Sequence, residues 1–199
     1  MRTAAILVAA GVAGVAHGQS FTWIATPKGP TDVMAGEPIT WTLSALMTAA
    51  EGEVVVGIAA SIFDVLSSVN GEKGEITSWT KLNGLDKLVG DHETTDGYQL
   101  FGVWVHQLTD FGPFTDANPV DVLEFTWVSN DPGAFNVVYT TSTIDAVVWV
   151  GEPGGAPMDA HAIHPPVTEA TMHWTLNVAS PGGMGVFVGA LWFGLRRRR

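Results

Sequence analysis

Ile39-Thr40-Trp41-Thr42-Leu43-Ser44-Ala45 alternates apolar and polar residues without a break. Successive side chains on a strand point to opposite faces, so this stretch predicts a β-strand with one face in a core and the other toward solvent. The same period runs through Leu123-Glu124-Phe125-Thr126-Trp127 and through Met172-His173-Trp174-Thr175-Leu176-Asn177-Val178. Residues 54–66 are different. Their apolar run, Val54-Val55-Val56-Gly57-Ile58 onward, is nearly continuous. It reads as a central strand buried on both faces, or as two strands bent at Gly57. Residues 21–26 predict a first, edge strand, and residues 98–108, 135–142 and 144–150 complete the set.

Turn signals separate these runs: Gly36-Glu37-Pro38, Gly112-Pro113, Asn130-Asp131-Pro132-Gly133 and Gly151-Glu152-Pro153-Gly154-Gly155. Pro followed by Gly suits a type II turn. Residues 67–97 carry the weakest pattern, and the part from Ser78 to Val89 reads as a short helix or as a loop containing a strand. The expectation is an all-β protein, an antiparallel sandwich of about eight or nine strands, jelly-roll or Ig-like.

Both ends of the sequence look like sorting signals. Arg2 precedes an apolar run over residues 4–16, too short for the ~20 residues that cross a bilayer. Ala16 and Gly18 supply small residues at the −3 and −1 positions of a cut before Gln19, which predicts a signal peptide over residues 1–18. At the other end Ser180-Pro181-Gly182-Gly183 leads into an apolar segment over residues 184–195 and then Arg196, Arg197, Arg198 and Arg199. Twelve helical residues span about 18 Å, short of a ~30 Å hydrocarbon core unless the helix starts near Leu176. The arginines then mark the cytoplasmic side. The segment 180–199 is therefore expected to anchor in the membrane as a short helix, leaving residues 19–179 as the domain. A proline-containing motif, a brief hydrophobic helix and a terminal arginine cluster resemble the PEP-CTERM class of bacterial sorting signals. That resemblance implies a temporary anchor cut by an exosortase-type membrane protease, with the protein released or fixed at the cell surface. The usual Pro-Glu-Pro is absent here.

All five arginines lie in the two end segments. The domain keeps Lys28, Lys73, Lys81 and Lys87 against 20 carboxylates, a formal charge of −16. Such a surface repels phosphates and anionic lipid, which excludes nucleic acid as a partner of the domain. The sequence has no cysteine, so thiol nucleophiles, thiolate metal sites and an N-terminal lipoprotein anchor are excluded.

The order of the runs carries a second resemblance. Gly36-Glu37-Pro38 leads into an alternating strand and then the Val-rich stretch from Glu53 to Leu66. Val122-Leu123-Glu124-Phe125, a turn ending at Gly133, and residues 135–141 form the other half. Together they resemble cohesin-like and carbohydrate-binding-module-like sandwiches of bacterial surface proteins. That implies a jelly-roll or Ig-like sandwich used for binding.

Candidate chemistry is sparse. His161-x-x-His164 sits in a Pro/Gly-rich loop, and His173 lies on the polar phase of the last strand; three imidazoles can ligate Zn²⁺ or Cu²⁺. Asp110, Asp116, Asn118 and Asp121 crowd one loop, and Asp91, Glu93 and Asp96 another. Such oxygens suit Ca²⁺, although Asp and Asn are also ordinary loop residues. Of eight tryptophans, Trp41, Trp127 and Trp174 sit on the apolar phase and read as core, while Trp192 belongs to the tail. Trp23, Trp79, Trp104 and Trp149 remain as possible ligand contacts, since exposed aromatics stack on sugar rings. No G-x-S-x-G, S-x-x-K or triad pattern is present. The expectation is a non-enzymatic structural or adhesive protein of the cell surface or extracellular matrix, without cofactor or metal. Its partners are the membrane through the C-terminal helix, the export and sorting machinery, and an extracellular polysaccharide or another surface protein. A carbohydrate-binding module is the alternative, and a secreted hydrolase with two facing acids a second one.

Overall fold

The computed structural model describes residues 18–68, 73–83, 93–106, 118–129, 131, 133–153 and 159–177. Every element among them is a strand: β1 (Ser20–Pro27), β2 (Asp32–Met34), β3 (Ile39–Thr48), β4 (Val54–Ser67), β5 (Glu75–Lys81), β6 (Thr94–Thr95), β7 (Leu100–Val105), β8 (Val120–Val128), β9 (Phe135–Gly151), β10 (His161–Ile163), β11 (Val167–Thr168) and β12 (Thr171–Asn177). They form a five-stranded sheet, β11-β1-β3-β8-β5, and a seven-stranded sheet, β2-β12-β9-β4-β7-β6, with β10 also on β9. The expected all-β sandwich is therefore present. The signal peptide and the C-terminal helix fall on residues 1–17 and 178–199, outside the described residues. No described helix is long and apolar enough to cross a membrane.

Several boundaries differ from the sequence reading. Residues 135–142 and 144–150 are not two strands but one, the 17-residue β9. The 54–66 run is a single central strand, β4, with its bends taken up as bulges at Val55/Gly57 and Ile58/Ala60; a third irregularity, at Ile62/Phe63, has its extra residue, Ile144, in β9. The first strand is not an edge, because β11 pairs outside it in parallel through Phe21↔Val167 and Thr22↔Thr168. The helix considered from Ser78 gives way to β5, which pairs with β8.

The segment from β10 to β12 binds the sheets together at one side. β10 pairs with β9, β11 crosses to β1, and β12 returns to β9. Glu169 lies at that crossing. Its carboxylate accepts from Thr141 Oγ1 (2.6 Å), Thr143 N (2.7 Å) and Thr143 Oγ1 (3.1 Å), filling the stretch of β9 that neither β10 nor β12 covers.

Apolar positions of both sheets meet in one core. Trp41, Trp127, Tyr139 and Trp174 gather at one part of it. The Trp174 ring lies 5.2 Å from that of Trp127 and stacks on Tyr139 at 5.0 Å between centroids. The Tyr139 hydroxyl donates to the carbonyl of Tyr98, and burial pushes its phenol well above the usual range. Aromatic contacts of this geometry add about 0.5–1.5 kcal/mol each beyond burial. Trp127 also dictates its neighbour. A Cβ on Gly74 would stand 2.2 Å from Trp127 Cζ2 and 2.7 Å from the Val128 carbonyl oxygen, so only glycine fits there.

At the opposite edge of the sandwich Lys81 of β5 meets Glu93, just before β6 of the other sheet, at 2.9 Å. Both side chains are almost fully buried, 2% and 4% exposed. Lys81 Nζ also reaches the Trp104 carbonyl at 3.5 Å. Two buried charges that satisfy each other are tolerated, whereas one left alone is not.

Two stability predictions follow the core and the buried pair. Gly74→Ala should lower unfolding free energy by about 1–3 kcal/mol through overpacking, read as a reduced denaturant midpoint at unchanged slope. Lys81→Met alone should cost about 3–5 kcal/mol, and adding Glu93→Leu should restore most of it. A double variant no better than the single one would show that the pair is not the source of the loss.

Candidate interaction surfaces

The two sandwich faces have different chemistry. On the five-stranded sheet, β3, β8 and β5 turn hydroxyls and a few charges outward. Thr42, Glu124 and Thr80 share one cross-strand row, and Thr40, Thr126 and Ser78 the next. Many of these groups satisfy one another. Thr40 Oγ1 bonds Thr126 Oγ1 at 2.9 Å, Ser44 Oγ donates to Asp121 at 2.6 Å, and Lys28 pairs with Glu124.

On the seven-stranded sheet the outer phase is apolar near its middle. Val148 and Val150 are fully buried, so their neighbours Val147 and Trp149 point outward, and both are half-buried. Phe63 and Ser61 are fully buried, which turns Ile62 and Ala60 outward. Val103 and Val105 place Trp104 on the same outer side. The register joins these residues: Trp149 is opposite Gly57, Val147 opposite Ala60, and Ile62 opposite Trp104. Gly57 offers no side chain beside the indole of Trp149. The result is a diagonal strip, Trp149–Val147–Ala60–Ile62–Trp104, across β9, β4 and β7. Ala60, Ile62 and Val147 were missed by the sequence reading, although the apolar run around the first two was noticed.

The four candidate tryptophans divide between inside and outside. Trp23 is a correction: only 3% of it is exposed. Its ring packs on Phe21 and Phe63, and its Nε1 donates to Thr143 Oγ1 at 2.8 Å, so it belongs to the core. Trp79 is half-buried and packs against the same core. Trp104 and Trp149 share the outer face.

Two of the three histidines hold separate partners. His161 Nε2 lies 3.5 Å from Glu53, and His164 Nδ1 3.2 Å from Asp145. His173, opposite Val138, lines a shallow depression of about 410 Å³ with Thr31, Asn136 and Thr175. No group of three or more potential ligands is assembled among the described residues. Of the acidic loops, Asp91, Asp110 and Asp116 lie outside the described residues. Asn118 is bonded in both directions to the Met47 backbone, and Asp121 accepts from Ser44. Glu93 holds Lys81. Asp96 caps its own turn. Burial pulls its carboxyl upward, but bonds from the Gln99 side chain and the Tyr98 and Gln99 amides outweigh that and leave it below the ordinary value. Asp131 is also held low, by Lys73 first and then by the Gly133 amide. Burial lowers His106. At the predicted cleavage site Ala16 is outside the described residues. Gly18 accepts from Thr48 Oγ1 at 3.3 Å, and Gln19 bonds Glu53 at 3.0 Å. Pro181, Gly182, Gly183 and the four arginines lie outside as well.

No protein-family model matches this chain, and no curated protein matches it in sequence. Solved structures do. The seventh ScaB type I cohesin from Pseudobacteroides cellulosolvens superposes with a TM-score of 0.53 at 10% identity, covering 83% of this chain and 96% of that one. A cohesin module from a Clostridium perfringens family 33 glycoside hydrolase gives 0.46 at 15% identity, covering 79% and 98%. The sixth cohesin of Acetivibrio cellulolyticus scaffoldin B, solved in complex with a Cel5 dockerin, gives 0.48 at 11% identity, covering 81% and 99%. At such identities the likeness is one of fold: the chain is a cohesin-like β-sandwich.

Proposed function

We propose that this protein is a non-enzymatic module of the cell surface or extracellular matrix that binds another protein through the outer face of its seven-stranded sheet. The strip Trp149–Val147–Ala60–Ile62–Trp104 carries this reading. It is an apolar line on an otherwise strongly acidic domain, built on the central β4–β9 ladder. Interface centres favour aromatic residues and are depleted in Lys and Glu, and the strip has that composition. In this reading residues 1–18 direct export. Residues 180–199 then hold the protein at the membrane at least transiently, where the sorting machinery acts on it.

A second reading rests on the same face. Trp104 and Trp149 both lie on the outer phase, Trp104 with its Nε1 buried, and indoles stack on sugars, so a polysaccharide is the competing ligand. The domain's charge of −16 limits either ligand to a neutral or basic one.

Replacing Ile62 by Glu places a charge in the middle of the strip. The side chain is only half-buried, so folding should change by no more than about 1 kcal/mol. The test compares residues 19–179, wild type and Ile62→Glu, immobilised and exposed to envelope proteins of the host and to its extracellular polysaccharide. The expected outcome is one protein retained by the wild type with affinity at least about tenfold above the variant. Retention of polysaccharide, lost in Trp149→Ala, would replace the first reading by the second. Equal binding by all three forms would remove the strip from the function.

A further inference from the structure

We propose that Gln19, once exposed as the N-terminal residue, closes to pyroglutamate with Glu53 carrying the proton, a modification that rests on the export reading above. Three side chains from distant parts of the chain converge there. Gln19 directly precedes β1, whose Ser20 is fixed in register with Thr48. Glu53 follows the turn between β3 and β4, held by its own amide donating to the Ala50 carbonyl (3.1 Å). The Gln19 amide Nε2 donates to Glu53 Oε2 at 3.0 Å, and the other carboxylate oxygen lies 3.5 Å from His161 Nε2 at the start of β10. Glu53 thus bridges an amide nitrogen and an imidazole. A leaving amide nitrogen needs a proton, and the Glu53 carboxylate, which accepts from Nε2, can return across that contact a proton it has taken from the attacking amine.

The step balances without an added reagent. Cleavage after Gly18 frees the α-amine of Gln19. As the free base, that nitrogen attacks Cδ of its own side chain. The N–Cδ bond forms and the Cδ–Nε2 bond breaks. The proton lost by the α-nitrogen passes through the Glu53 carboxylate to Nε2, which leaves as ammonia. His161 steadies the carboxylate from its far side. Nothing is oxidised or reduced. The product is a five-membered lactam with no terminal charge, and a chain end that aminopeptidases requiring a free amine do not trim.

The experiment uses the full chain with residues 1–18 replaced by a tag whose protease cuts directly before Gln19. Intact mass is followed after cleavage, with thermal melting as a check on folding. The wild type should lose one ammonia at a rate at least about a hundredfold above that of Glu53→Ala, the lower end of a general acid–base contribution. Glu53→Gln, which keeps the shape of the side chain but relays no proton, should be equally slow. Equal rates in the wild type and both variants, or a wild type that keeps a free Gln19, would overturn the proposal. Material from the native host separates the two readings. A lactam at position 19 supports both. A free Gln19 overturns the modification and leaves export standing. A chain still beginning at Met1 overturns export and the modification with it, and a chain cut at another position overturns the modification alone.

Discussion

The antiparallel pairing of β4 with β9 is the constraint on which the rest of the sandwich depends. It runs from Val54↔Gly151 to Ser67↔Tyr139 and is interrupted by three bulges. A bulge inserts one residue, so the faces of the strand exchange phase beyond it. That exchange lets one strand bury Ile58, Phe63 and Val65 inward although they do not keep a single two-residue period. It also determines what the outer side shows. Ala60 and Ile62 emerge beside Val147 and opposite Trp104, and an apolar strip appears without any of its members leaving a regular ladder.

Closure of the sandwich is achieved differently at its two sides. Beside β1 and β9 the chain itself does it: β10, β11 and β12 alternate between sheets, and Glu169 satisfies the backbone that this crossing leaves uncovered. Beside β5 and β7 no strand crosses among the described residues, and the Lys81–Glu93 pair spans the gap instead. A buried ion pair adds little net stability compared with apolar residues of the same size, but it penalises any arrangement that separates its members. Its contribution is to the relative placement of the sheets, and through β7 to the position of Trp104.

Much of this architecture was legible because most long strands obey one rule. β12 alternates cleanly, β3 and β8 do so on either side of one bulge at Leu43/Ser44, and the inward residues Trp41, Trp127 and Trp174 are buried as their phase required. The strands that escaped notice, β2, β6, β10 and β11, have two or three residues each, too few to show a period. The division of β9 into two strands came from reading the Thr143–Ile144 irregularity as a break, when it is a bulge opposite Ile62 and Phe63. Trp23 was misplaced for a related reason. A terminal strand was taken as an edge, but β11 covers it, and its indole found a hydroxyl partner in Thr143, far away in sequence. The Gln19–Glu53–His161 and Lys81–Glu93 contacts left no sequence signal, since each depends on register between strands rather than on spacing along one.

The continuous apolar run in β4 has a further lesson. A strand apolar on both phases is usually buried on both faces, as in a parallel sheet covered by helices. Among the described residues this sandwich has two layers, so the outer phase of its central strands lies outside the core. On the five-stranded sheet that phase is filled by threonine and serine, whose hydroxyls bond their neighbours, and Thr42 and Ser44 are themselves buried. On the seven-stranded sheet the corresponding positions hold Ala60, Ile62, Val147 and two tryptophans, for which water is a poor covering. The same sequence property that signals a core strand therefore distinguishes the two faces: one is finished as it stands, and the other gains free energy when an apolar surface is laid against it.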